Sequence, residues 1–175
     1  MKLEITHLAP YLPYGLKWKF DGEDLAHDIV GLDITNRGVK LVSPYNDYGD
    51  YEISSGKPLL LPMSSLYTEM EDGTVPIVEL AKIATSELKY CNDLHWVVGG
   101  KKDKYATARK EEYDFAFDYD GVGAFWISQR DVYDGSCPEI EIYSQLSLFT
   151  YLFEHHFDVW NLIPQNLAID KTKIK

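Results

Sequence analysis

Residues 113 to 119 read Tyr-Asp-Phe-Ala-Phe-Asp-Tyr, and this run constrains the fold more than any other part of the chain. Four rings fall at every second position and two carboxylates fall between them. A helix would scatter both sets around its axis. Only a period of two places Tyr113, Phe115, Phe117 and Tyr119 on one face and Asp114, Ala116 and Asp118 on the other. The segment is therefore expected to be a half-buried strand. Asp120-Gly121-Val122-Gly123 supplies a turn, and Ala124–Ser128 is expected to return as its hairpin partner. Leu16–Phe20 alternates in the same way, with Leu16, Trp18 and Phe20 inward and Asp21-Gly22 ending the strand.

Other segments are more local. Ile29–Thr35 and Val39–Ser43 are short β-rich runs around Asn36-Arg37-Gly38, which reads as a three-residue hairpin loop with its glycine left-handed. Pro58–Pro62 reads as a buried extended piece, Ser64–Met70 as a short helix and Leu94–Val98 as a brief strand. Pro10 and Pro13 fix φ and predict a rigid, irregular lead-in before the first strand. Pro76–Leu88 has the pattern of a helix, with proline in its first turn and Leu80, Ala81, Ile83, Ala84 and Leu88 on one face. Leu146, Phe149, Phe153 and Trp160 recur at helical spacing, with Phe157 on the same side, and predict a long amphipathic helix over about 144–160. Strands grouped apart from helices, without βαβ alternation, argue for an α+β fold. The expectation is one domain over 1–170, an antiparallel sheet with two to three helices and the C-terminal helix packed on it. Residues 171–175 are expected to form a frayed basic tail.

Charge limits the partners. The 175 residues carry 17 Lys+Arg and 28 Asp+Glu, a net charge of −11. Such a chain repels nucleic acid and anionic membrane surfaces unless its cations cluster. Cys91 and Cys137 form no C-x-x-C pair, and no apolar stretch reaches the length of a membrane span. The opening residues lack the apolar core of a signal peptide, so the expected location is the cytoplasm. The acids are unevenly spread. Between Glu111 and Asp158 there are eleven acids and one base, Arg130, whereas Gly99–Lys110 holds five bases and Asp103 alone as an acid. Asp114, Asp118 and Asp120 are therefore candidate binding residues on an acidic face. Tyr45, Tyr48 and Tyr51, interleaved with Asp47, Asp50 and Glu52, form a candidate aromatic contact loop, because tyrosine offers large contact area at low entropic cost.

The familiar chemical motifs fail. Gly100-Lys101 ends a phosphate-loop pattern, but its first glycine would fall at His95 and Lys102 stands where Ser or Thr is needed. Gly121-x-Gly123 meets Trp126 where a dinucleotide fingerprint needs a third glycine. Glu154-His155-His156-x-Asp158 could place His155 and Asp158 on one helical face, and a metal could be assembled if His7, His27 or His95 joined the strand carboxylates. Nothing in the sequence brings these groups together. No catalytic residue, metal ligand or cofactor is assigned, and a non-enzymatic reading is favoured.

His7-Leu8-Ala9-Pro10-Tyr11-Leu12-Pro13-Tyr14-Gly15-Leu16-Lys17 resembles the opening of short proteins that recur in Bacteroidetes genomes, often in phage or prophage regions. Leu152–Val159, continuing to Asn166-Leu167-Ala168-Ile169-Asp170, is similar to their closing helix, and Pro58–Leu66 to their middle. The resemblance covers about a quarter of the chain. It implies an accessory protein of a mobile element or its host, working through a protein partner, and it carries over no site residue because that group has no assigned activity. Two other readings stay open. One is a decoy that mimics nucleic acid, with carboxylates standing for phosphates. The other is a metal-assisted hydrolase.

Overall fold

The computed structural model describes residues 2–35, 38–43, 51–86, 88, 91, 93–99 and 104–174. In chain order the elements are helix α1 (Ile5–Leu8), a 3₁₀ turn (Ala9–Tyr14), strands β1 (Leu16–Phe20), β2 (Ala26–Ile29), β3 (Gly31–Thr35), β4 (Gly38–Val42), β5 (Tyr51–Glu52) and β6 (Gly56–Leu60), and a 3₁₀ turn (Met63–Tyr67). They continue with α2 (Pro76–Thr85), β7 (Val97–Gly99), β8 (Tyr105–Lys110), β9 (Tyr113–Tyr119), β10 (Phe125–Asp131), β11 (Glu139–Ile140), α3 (Gln145–Glu154), β12 (Ile169–Asp170) and a 3₁₀ turn (Lys171–Lys173). The fold is α+β. The strands make three sheets, β12-β6-β1-β2, β3-β4-β5 and β11-β10-β9-β8-β7. The chain divides into two compact units, one of Met1–Met63 with Leu152–Lys175 and one of Ser64–Tyr151.

In the first unit, β1 pairs antiparallel with β2 and β6, and β12 pairs parallel with β6. Leu16, Trp18 and Phe20 are all buried, as their alternation requires. They pack with Leu8, Tyr11, Ile29, Leu60 and Leu162. The β-rich run over 29–35 is split at Val30, so β2 joins one sheet and β3 another. Gly38 lies inside β4, paired with Thr35, which leaves residues 36–37, outside the described residues, to connect the strands. The proline-rich lead-in is helical rather than irregular, and it buries Tyr11 completely. The Tyr11 hydroxyl donates to the Phe157 carbonyl at 2.7 Å, which ties the first segment to the last. The basic end is also ordered. Asp170 accepts from Thr172 N at 3.0 Å and pairs with Lys173 at 3.2 Å, so Lys171–Lys173 closes into a turn and does not fray.

The long C-terminal helix is shorter than its spacing predicts. It stops at Glu154 because His156 takes a left-handed φ of 59°. His156 N donates to Phe153 O at 3.1 Å and Phe157 N to Leu152 O at 2.8 Å, the two bonds of a Schellman ending. Beyond it, Leu61 N donates to His156 O and Asp158 N donates to Leu61 O, both at 2.8 Å, which draws the segment in beside β6. The imidazole of His156 stacks on Tyr11 at 6.3 Å, and its Nε2 is buried without a hydrogen-bond partner among the described residues. Burial, then the positive charges of Lys171, His155 and Lys17, lower its pKa from the ordinary 6.5 to about 4, against a smaller opposing pull from the Tyr14 carbonyl.

A pH dependence follows. Above 6.5 the imidazole is neutral whether folded or not. Below 6.5 the unfolded chain takes up a proton that the folded chain refuses, so stability falls by up to about 1.4 kcal/mol per pH unit until about pH 4. The partial exposure of His156 makes this an upper limit. Asp158, raised by its own burial, works in the opposite sense at the acid end of that window. Urea midpoints measured from pH 7 to 4 should decline for the wild type and flatten for His156→Asn, which tolerates the left-handed backbone. Parallel profiles would remove His156 as the cause.

In the second unit, β9 is the centre of an antiparallel sheet, with β8 and β10 on its sides. Phe115 and Phe117 are buried, and α2 packs on the β7–β9 part of the sheet. Phe117 stacks on Phe125 at 5.5 Å, and Phe125 meets Phe149 of α3 edge-on at 5.8 Å, so α3 packs on this sheet. The buried residues of α3 are Leu148 and Leu152, whereas Leu146, expected on the apolar stripe, is 81 % exposed.

Candidate functional site

The face of the five-stranded sheet that carries Asp114, Ala116 and Asp118 is half-exposed, and its residues follow from strand register. Antiparallel pairing sets Val97 beside Thr107, Thr107 beside Ala116, and Ala116 beside Ser128. This central row is small or β-branched throughout. One step along the strands, about 7 Å away, Asp114 lies between Arg109 and Arg130. One step in the other direction, Asp118 lies beside Trp126, and Tyr105 beside Gly99. A low central strip is thus bordered by two arginines at one end and by Trp126 and Tyr105 at the other. Trp126 is 37 % exposed, and both arginines are exposed.

The carboxylates expected to make this face acidic are each engaged locally. Arg109 Nε stands 3.7 Å from Asp114 Oδ1, so the end row holds two cations around one anion. Tyr67 OH donates to Asp118 Oδ1 at 2.5 Å, and Tyr119 N donates to the same oxygen at 2.8 Å. Burial and that carboxylate push the Tyr67 phenol well above its ordinary pKa, which keeps it a donor. Asp120 leaves the face entirely. Its Oδ1 accepts from Val122, Gly123 and Ala124 N at 2.8–3.0 Å and closes the β9–β10 turn. These amides, Ala124 first, hold its pKa below the usual carboxylate value. Asp131 and Asp134 cap the next turn in the same way. Much of the acidic stretch is therefore turn chemistry: short side chains at turns accept the amides that the strands leave unpaired.

The remaining candidates separate. Tyr45 and Tyr48 lie outside the described residues, and Tyr51 belongs to β5, paired with Leu41. His7 Nδ1 accepts from Glu4 N, and His27 Nε2 is 2.5 Å from Glu23 Oε2. His155 and Asp158 do not share a helical face, because the helix has already ended. Asp158 is buried, and its two oxygens accept from Leu162 N and Ile163 N at 2.7 Å each. Among the described residues no group of three or more His, Cys, Asp or Glu is placed to hold a metal ion. Cys91 is buried, and burial pushes its thiol up to about 11, so it is neutral at pH 7. A cavity of about 450 Å³ is lined by Lys110, Glu111, Tyr113, Phe115 and Gln129, and Lys110 Nζ stands 3.9 Å from Asp93.

No sequence motif groups Trp126 with Arg109 and Arg130. The signal was present: once the turn over Asp120–Gly123 is fixed, hairpin counting sets Arg130 opposite Asp114. Among the described residues, no helix is long and apolar enough to cross a membrane. Compared with protein-family models, with curated proteins and with solved structures, the chain matches none.

Proposed function

We propose that this is a non-enzymatic accessory protein that binds a protein partner through the half-exposed face of the β7–β11 sheet. One observation carries the reading: the exposed Trp126, Arg109 and Arg130 and the half-buried Tyr105 surround a strip of small side chains on one face of the sheet. Tryptophan, tyrosine and arginine dominate the energetic centres of protein interfaces, and a low strip between them admits an opposing side chain or strand. The likeness of both chain ends to small proteins of Bacteroidetes and their phages supports an accessory role. The local engagement of Asp114, Asp118 and Asp120 favours a mixed contact face over a mimic of nucleic acid, which needs its carboxylates turned to the partner.

A photo-crosslinking residue at Ser128, expressed in the source cells, tests this. The expected result is one discrete adduct, reduced about thirtyfold or more by Trp126→Ala, since a central tryptophan contributes about 2 kcal/mol or more. Arg130→Glu should also abolish it, while Val122→Ser on the exposed turn should leave it intact. An adduct that survives Trp126→Ala unchanged would rule out this face.

A further inference from the structure

On the core-facing side of the β7–β11 sheet, a cavity of about 450 Å³ remains at the end nearest the β8–β9 turn, lined by Lys110, Glu111, Tyr113, Phe115 and Gln129. Register explains the grouping. Lys110 pairs with Tyr113, and Phe115 with Gln129, so these four side chains fall on the face that carries Phe117 and Phe125. Helix α3 packs at the Phe125 end of that face. Gln129 lies four residues further along β10, about 13 Å away. There the face ends in polar groups.

Those groups are under-used. Gln129 is half-buried on the face of Phe115, Phe117 and Ile127, yet its side-chain amide makes no hydrogen bond among the described residues, and neither does the half-buried Tyr113 hydroxyl. An amide placed so costs free energy unless it finds a partner. Glu111 breaks a local rule. The pairing of Lys110 with Tyr113 leaves a two-residue turn, and Glu111 takes φ 54° in it, a left-handed position that favours glycine or asparagine. Its carboxylate makes no ion pair or hydrogen bond among the described residues to offset that strain. Breaches of local preference without local compensation concentrate at functional positions.

We infer that this cavity binds an adenine nucleoside, its base against Tyr113 and Phe115 and its amino edge read by Gln129. A glutamine amide offers one donor and one acceptor side by side, which matches the exocyclic amino group of adenine and the ring nitrogen beside it. Aromatic side chains supply the stacking surface. The ribose then lies at the rim, where the exposed Glu111 carboxylate accepts from its hydroxyls. A phosphate is not part of the ligand. Glu111 and a chain charge of −11 oppose it, and the cation in the lining, Lys110, already faces Asp93 at 3.9 Å. The volume falls within the range of small-molecule sites. This site lies on the opposite side of the sheet from Trp126 and Arg130 and does not depend on the proposed contact face.

The probe is adenosine, added to the isotope-labelled full chain, with the Gln129 side-chain amide pair assigned through its own carbon chain. The expected result is a saturable shift of that pair, with a Kd at or below about 1 mM. Gln129→Leu puts an apolar side chain of similar size on the same face, so the spectrum should stay folded while adenosine binding falls about tenfold or more. Purine riboside, which lacks the amino group, should bind about tenfold more weakly to the unaltered protein, and adenosine monophosphate should also bind more weakly. Glu111→Gly should raise the melting temperature by about 2 °C as the turn loses its strain, and weaken adenosine about threefold. An amide pair that adenosine does not move overturns the inference, as does adenosine binding that Gln129→Leu leaves unchanged. Purine riboside or the monophosphate binding as tightly as adenosine would likewise reject the assignment.

Discussion

Gly56→Ala is expected to cost about 3 kcal/mol or more and to lower the urea midpoint by about 1–2 M. The reason is not backbone freedom, since Gly56 is an ordinary strand residue. A methyl group there would meet the Lys19 carbonyl oxygen, Phe20 Cα and the indole nitrogen of Trp18, each inside contact distance. Two of these are backbone atoms of the paired strand β1, and the third belongs to a fully buried ring, so none can yield cheaply. Gly99→Ala is the matched control. Its added Cβ would meet the methyl and Cβ of Thr107, whose hydroxyl donates to Phe115 O at 3.0 Å, but no backbone atom, and should cost less, about 1–2 kcal/mol. Equal losses for the two variants would mean that the packing at Gly56 is looser than described.

Asp158→Ala is the second large effect, expected at about 3 kcal/mol. The carboxylate accepts two backbone N–H bonds at 2.7 Å, from Leu162 and Ile163, and Leu162 is fully buried. Bonds to a charged acceptor are worth about 1.5–3 kcal/mol each, and removal of the side chain leaves buried donors behind. Burial raises the Asp158 pKa, while the same two amides pull it down. Asp158→Asn keeps one carbonyl oxygen and should fall between wild type and alanine. Denaturation curves that rank alanine above asparagine would refute this account.

The sequence disclosed elements whose pattern is complete within themselves. The alternation of Tyr113–Tyr119 needed no partner to be read, nor did the proline-led apolar face of α2. It failed where one residue's conformation overrides a periodic pattern. Leu146, Phe149, Phe153 and Trp160 keep helical spacing, yet the chain leaves the helix because His156 is left-handed, a state that favours glycine or asparagine. The candidate site was half legible. Asp114 and Asp118 were correctly set on the outer side of their strand, but a carboxylate on one strand says nothing about the guanidinium of the next. Arg109 and Tyr67 reach those acids across gaps of 5 and 51 residues, and only the latter lies beyond the reach of any local reading. No composition shift or linker marked the division into two units, because the first is assembled from two separated stretches.

That discontinuity matters when the chain is made. A ribosome releases Tyr11 long before the Phe157 carbonyl that its hydroxyl meets, 146 residues later. Strand β6 must likewise wait for β12 and for the segment around Asp158. Residues 64–151 hold every strand of the β7–β11 sheet, while β6 lacks its β12 partner until residues 169–170 are made. Translation therefore finishes the second unit before the first.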